Sequence, residues 1–191
     1  MITKQEFIEE IERNINREGI SDFIEFLKST DFFSAPASTR YHEAYEGGLM
    51  EHSFKVYQEL KNLAIVYCSR LDVTLNPESI ALVALFHDVC KIGCYKTEMR
   101  WRKDAHQRWE QYSTYKFEED YPFGGHGSKS VFLLQHYMQL TPDEASAINC
   151  HMGAWDSSTY SNPSPVYESN LLAWLLHVAD EAATYAYKER S

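Results

Sequence analysis

The sequence predicts an all-α fold, a helical bundle carrying one short β-hairpin-like insert around residues 94–122. Three observations carry that expectation. Apolar residues recur at helical spacing through most of the chain. Several of these segments open on helix-start chemistry, at Thr3-x-x-Glu6, Asn76-Pro77 and Thr141-Pro142-Asp143-Glu144. One stretch, beyond Gly93, loses the helical period and fills with aromatic and charged residues. At 191 residues the chain can bury a sizeable core and reads as one domain, with N-terminal helices over 1–40 and a core over 41–188.

Each element has a local reason. The capping box at Thr3 and Glu6 opens the first helix, Phe7, Ile8, Ile11 and Ile15 form its inward face, and Gly19 ends it. A second helix spans about Ser21 to Ser29, with Phe23, Ile24, Phe26 and Leu27 inward. Ser34-Ala35-Pro36-Ala37-Ser38-Thr39 is a loop. A long helix covers about Gly48 to Arg70 and carries His52 in its first turns. Asn76 caps the next helix and Pro77 takes its first position; the run continues to about Lys91, where Gly93 can stop it. In the insert, Asp104-Ala105-His106-Gln107 turns between two short strands, and Trp109 to Phe117 is rich in β-forming residues. The insert is either an ordered packing flap or a substrate-gating lid, since long connections often carry function. A helix from about His126 to Gln139 follows, then a short one from the Thr141 box to about Met152 and a loop from Ser161 to Ser164. Ser164-Pro165 opens the last helix, with Leu171, Leu172, Trp174, Leu175, Val178 and Ala182 inward and Asp180 among them.

Composition excludes several classes. Charged residues make up 24% and hydrophobic residues 44%, as in a globular protein. No apolar run approaches the roughly 20 residues of a membrane span. The polar start Met1-Ile2-Thr3-Lys4-Gln5-Glu6 lacks a signal-peptide core, so a cytoplasmic location is expected. Cys68, Cys90, Cys94 and Cys150 show no paired zinc spacing and read as reduced structural thiols, Cys90 and Cys150 adjoining candidate site residues. The formal charge of −10 argues against an extended nucleic-acid-binding surface, but is compatible with a nucleotide or a short single strand held at a metal site.

The chemistry concentrates at His87-Asp88. The doublet ends the apolar run Ile80-Ala81-Leu82-Val83-Ala84-Leu85-Phe86. A buried carboxylate and imidazole are costly without partners, and a divalent cation is a partner that both ligate. Further candidate ligands are His52, His126, His151 and Asp180. Histidine and carboxylate suit Mn, Fe, Co, Ni or Zn better than Mg. Lys91, one helical turn beyond Asp88, and Lys129, three residues after His126, are candidate cations of the same site, with Arg40 a weaker one. His42 is read as lining the cleft and His177 as supporting the face of Asp180.

The order of His52, the doublet His87-Asp88 and the distant Asp180 resembles the HD superfamily of metal-dependent phosphohydrolases, over about Tyr41 to Tyr185. With His126 and His151 between doublet and final Asp, it is most similar to the branch with extra histidines. The runs Gly47-Gly48-Leu49-Met50-Glu51-His52 and His87-Asp88-Val89-Cys90-Lys91 resemble the HD module of bacterial 3′-5′ exoribonucleases and HD proteins of phages and gut bacteria.

The resemblance implies an HD-domain helical bundle holding one or two divalent ions. His52, His87, Asp88 and Asp180 would hold one, and Asp88, His126 and His151 the other. With one ion only, His126 and His151 become phosphate donors or the acid for the leaving group. It also implies hydrolysis of a phosphate ester by metal-activated water, with Asp88, Lys91 and Lys129 in the catalytic machinery, the two lysines as phosphate anchors, and a small phosphorylated substrate, a nucleotide or a nucleic-acid end. Two alternatives use the same ligands: an HD-fold di-iron oxygenase, and a non-catalytic, metal-stabilised binding domain.

Overall fold

The computed structural model describes residues 2–40, 43–119, 121, 124–156 and 163–187. Eight α-helices and a single two-stranded sheet make up the regular structure of these residues. Their order is α1 (Lys4–Asn14), α2 (Ile20–Ser29), α3 (Gly48–Leu71), α4 (Pro77–Phe86), β1 (Tyr95–Lys103), β2 (Trp109–Phe117), α5 (His126–Gln135), α6 (Pro142–Cys150), α7 (Ser164–Ser169) and α8 (Leu171–Tyr185). This is the all-α bundle with a β insert that the sequence predicts.

The helix starts follow the caps. Thr3 and Glu6 close a reciprocal box at α1, as do Thr141 and Glu144 at α6, and the Asn76 side chain accepts from Glu78 N at α4. The ends differ from expectation in four places, one of them α5, which stops at Gln135 and not at Gln139. The first helix stops at Asn14 because Ile15 turns extended, and Gly19 instead starts α2. The run from Pro77 stops at Phe86, and a short 3₁₀ turn (Val89–Lys91) carries the chain on from the His-Asp doublet. The segment from Ser164 is two helices, because Asn170 adopts an extended backbone and its side chain caps Ala173 N at 3.3 Å.

The central layer is α4. Every residue from Ser79 to Phe86 is buried, so this helix is apolar on all sides. α3 packs on α4 and α8, α6 packs on α8 and α5, and α1 lies against α4. One contiguous core joins Phe7 and Ile11 of α1, Phe23 and Leu27 of α2, Leu49 and Leu60 of α3, the whole of α4, and Leu172, Leu175 and Leu176 of α8. Side-chain removal at Gly127 serves this packing: a Cβ there would stand 2.4 Å from the Asn149 carbonyl, so only glycine lets α5 approach the end of α6 so closely.

A buried ion pair ties the periphery to α4 and α6. The Arg17 guanidinium donates to both oxygens of Glu144 at 2.9 Å, Ser79 Oγ donates to Glu144 Oε1 at 2.6 Å, and Glu144 is fully buried. Burial alone would raise the Glu144 carboxyl, but the bonds from Arg17 and Ser79 hold it below the usual carboxylate range. Glu144→Ala is therefore expected to destabilise the fold by about 2 kcal/mol, as read from urea midpoints at neutral pH, since it removes the bidentate partner of Arg17 and the acceptor of the Ser79 hydroxyl, leaving the guanidinium only Glu78 at 3.5 Å and the Gln139 carbonyl at 3.1 Å. The sign of the pH effect follows. The folded-state pKa is lowered, so the pair's contribution is complete above the unfolded-state value of about 4.3 and is lost as pH falls through the folded-state value. The gap in stability between wild type and variant should shrink on acidification below about pH 4.

Candidate metal centre

Four helices and the turn after α4 converge on one point. His52 comes from the second turn of α3, His87 and Asp88 from the end of α4, His151 from the end of α6 and Asp180 from the middle of α8. His52, His87, Asp88 and His151 are buried, and the Asp180 side chain is 13% exposed. The candidate ligand atoms of His52, His87 and Asp180 lie within 4.8 Å of one another, as do those of His87, Asp88 and His151. The two groups share His87. Asp88 spans them: its Oδ2 is 3.4 Å from His87 Nε2 and 3.7 Å from His52 Nε2, and its Oδ1 is 3.5 Å from His151 Nε2. His52 Nε2 is 3.0 Å from Asp180 Oδ1.

The hydrogen bonds behind the rings prepare them as ligands. His87 Nδ1 lies 2.8 Å from the Ala84 carbonyl and His151 Nδ1 lies 2.7 Å from the Ile148 carbonyl. A carbonyl only accepts, so each ring carries a proton on Nδ1, and Nε2 is the atom each ring turns toward the centre. His87 Nε2, His151 Nε2 and Asp88 Oδ1 are buried and make no hydrogen bond. Buried polar atoms are rarely left so, and three of them facing one another fit a divalent ion.

Electrostatics point the same way. Burial alone would raise both carboxyls. The charges of Lys91 and His87 hold Asp88 well below the usual carboxylate range, and the bond from His52 with the nearby imidazoles does the same for Asp180. Both are anionic at neutral pH. Burial lowers the imidazolium of His126, so that ring is neutral there.

Lys91 Nζ bonds Asp88 Oδ2 at 2.7 Å and donates to the Ala37 carbonyl at 2.9 Å. Burial opposes its charge, but Asp88 raises its pKa above the ordinary lysine value, so it stays protonated. A cleft of about 390 Å³ opens onto the centre, and Asp88, Lys91, His126 and Asp180 all face it. Its other walls include Tyr95, Phe117, Met152, Trp155 and Tyr185.

Not every residue singled out in the sequence joins this centre. His126 lines the cleft but lies outside both ligand groups, its Nδ1 3.4 Å from Cys90 Sγ. Lys129 faces elsewhere: its Nζ binds Glu119 at 2.6 Å and lies 3.5 Å from Cys94 Sγ, in a separate cavity with Tyr121 and Phe132. Arg40 is exposed, and His42 falls outside the described residues. His177 lies behind the centre, its Nδ1 2.7 Å from the His151 carbonyl and its ring stacked on Tyr167.

The sequence reading passes over Glu43. Its Oε2 is 3.8 Å from His52 Nδ1, while its Oε1 accepts from Lys55 at 2.7 Å. The residue takes a left-handed backbone with φ of 41°, and a Cβ on Gly48 would meet its carbonyl at 1.9 Å. The Gly47-Gly48 pair is the one sequence signal for this tight approach.

A family model described as HD domain matches residues 49–185. The dihydroneopterin 2′,3′-cyclic phosphate phosphodiesterase of Methanocaldococcus jannaschii is 26% identical over 148 residues, 78% of this chain and 51% of the relative. The chain thus spans about half the length of that curated relative. No solved structure matches.

Proposed function

The chain belongs to the HD-domain family, and from that premise we propose that it is a metal-dependent phosphohydrolase acting on a phosphate ester, a nucleotide or a nucleic-acid end. The observation that carries this reading is the convergence of His87 Nε2, Asp88 Oδ1 and His151 Nε2, buried and without hydrogen bonds, beside an open cleft that Asp88 lines. The relative's cyclic phosphate substrate supports hydrolysis over oxygen chemistry.

His52, His87, Asp88, His151 and Asp180 would hold the metal, the two Asp88 oxygens facing different histidines of the set. A bound divalent ion supplies water of lowered pKa and neutralises charge on the phosphoryl oxygens. The protein's own groups do the rest. Lys91, cationic on the cleft wall, binds a phosphoryl oxygen and offsets the charge that builds there. His126, neutral beside the centre, serves a second ion or hydrogen-bonds the ester. The apolar walls at Phe117, Met152 and Trp155 receive the ester's organic group and narrow the access of water. Lys129, held by Glu119, faces a separate cavity and takes no part in this reading.

The test is metal analysis of the purified protein followed by a Mn-supplemented screen of phosphomonoesters, linear phosphodiesters and 2′,3′-cyclic nucleotides. Bound transition metal and turnover of at least one phosphoester are expected. A metal-loaded protein that consumes O₂ and turns over no ester would sink the proposal.

A further inference from the structure

The hairpin carries more than the centre uses. Its strands pair without a slip from Tyr95↔Phe117 to Lys103↔Trp109, so side chains alternate strictly between two faces. One face begins at Tyr95 and Phe117, which line the cleft, and runs outward through Met99 and Trp101 to Trp109. Those last three side chains are 58%, 60% and 65% exposed. Large apolar groups gathered outside a core mark a binding surface. Charge sets the hairpin apart as well. Residues 95–117 hold six basic and three acidic side chains, against twelve and twenty-five in the rest of the chain. Lys103 stands over the Trp109 ring at 5.6 Å on this aromatic face, whereas Arg102 stands over Tyr112 at 4.9 Å on the opposite face, which also carries Lys96, Arg100 and Lys116.

We propose that this face is a stacking platform for the trailing nucleotides of a short single strand whose phosphate ester sits at the metal centre. The proposal rests on the phosphohydrolase reading above. Exposed aromatic rings receive successive bases with little regard to sequence, and Lys103 beside Trp109 supplies a cation on the same face. The formal charge of −10 still excludes a broad basic surface, and a hairpin is a strip. Length fixes the ligand. Tyr95 and Trp101 are six residues apart on β1, about 20 Å at the ~3.3 Å rise of a strand. A stacked strand advances ~3.4 Å per nucleotide, so about six nucleotides join the centre to Trp101. A mononucleotide cannot touch both. The competing occupant is a second copy of this chain, its acidic body against the basic hairpin. Continuity of the aromatic face with the cleft favours the strand, because a docked copy gains nothing from a face that leads to the catalytic floor.

The experiment is fluorescence anisotropy on the metal-loaded protein with phosphorothioate-linked oligothymidylate and oligouridylate, each as dinucleotide and octanucleotide. The wild type should bind at least one of the octanucleotides about tenfold tighter than its dinucleotide, and the two sugars tell DNA from RNA. Trp101→Ala/Trp109→Ala, which removes two exposed rings, should lose that gap while hydrolysing bis(p-nitrophenyl) phosphate at the wild-type rate. Equal affinity for both lengths, or a gap that survives the double variant, would overturn the platform. Self-association lost in the variant, with no length preference in the wild type, would assign the face to a second copy and overturn it too. A length gap in a protein that hydrolyses no ester would overturn the hydrolase reading and leave the platform standing.

Discussion

Asp88→Ala is expected to lose bound divalent metal and phosphoester hydrolysis together, the latter by ~10³-fold or more, while keeping the helix content of the wild type. Asp88 is the one side chain whose two oxygens face different ligands, Oδ1 toward His151 and Oδ2 toward His52 and His87. Removing it breaks the connection between the two ligand groups as well as deleting a charge. His52, His87 and Asp180 still form one group, so residual weak binding of a single ion is compatible with the proposal. Full metal occupancy with full activity is not. Metal analysis after desalting, circular dichroism and the ester assay together separate loss of the centre from loss of the fold.

The fold was legible where local chemistry decides it and opaque where distant groups do. Thr3 with Glu6, Asn76 with Pro77, and Thr141 with Glu144 announce their helices because the capping groups are three residues or fewer apart. The hairpin turn was legible for the same reason: Asp104 Oδ1 accepts from His106 N and Arg108 N, both within four residues. The end of α4 was not. The helical reading runs on to Lys91, but the chain leaves the α-helix at His87 for a 3₁₀ turn, in which Cys90 N donates to Ser130 Oγ of α5 at 3.2 Å.

The site divides along the same line. His52, His87, Asp88, His151 and Asp180 could be picked out by residue type and order, and the structure gathers all five. Their setting could not. Lys129 stands one helical turn from His126, a spacing that suggests a shared face. Glu119, ten residues earlier, draws its ammonium away, and nothing in local spacing encodes that pair. Glu43 escaped notice because its approach to His52 depends on a left-handed backbone, which glutamate rarely adopts.

Lys91→Met is expected to lower kcat/KM by about 10²-fold while leaving metal content intact, which separates its role from that of Asp88. The ammonium is fixed by Asp88 and the Ala37 carbonyl, faces the cleft, and is kept charged through the working pH range by Asp88. A cation so placed meets the phosphoryl group without having to reorganise. Because its pKa is raised, it contributes no inflection of its own to the rate profile at neutral pH. A purely structural lysine predicts otherwise: Lys91→Met would then move thermal stability, with kcat intact in the protein that remains folded. The pair with Asp88 adds a sharper test. In metal-free protein Asp88→Asn leaves Lys91 buried and unpaired, at a cost of about 3 kcal/mol, and Asp88→Asn/Lys91→Met should recover most of it, since the double change removes both charges. Stability would then return without metal or activity. A double variant no more stable than Asp88→Asn would mean that the two charges are not coupled, and the ammonium would lose its claim to be oriented by the carboxylate beside it.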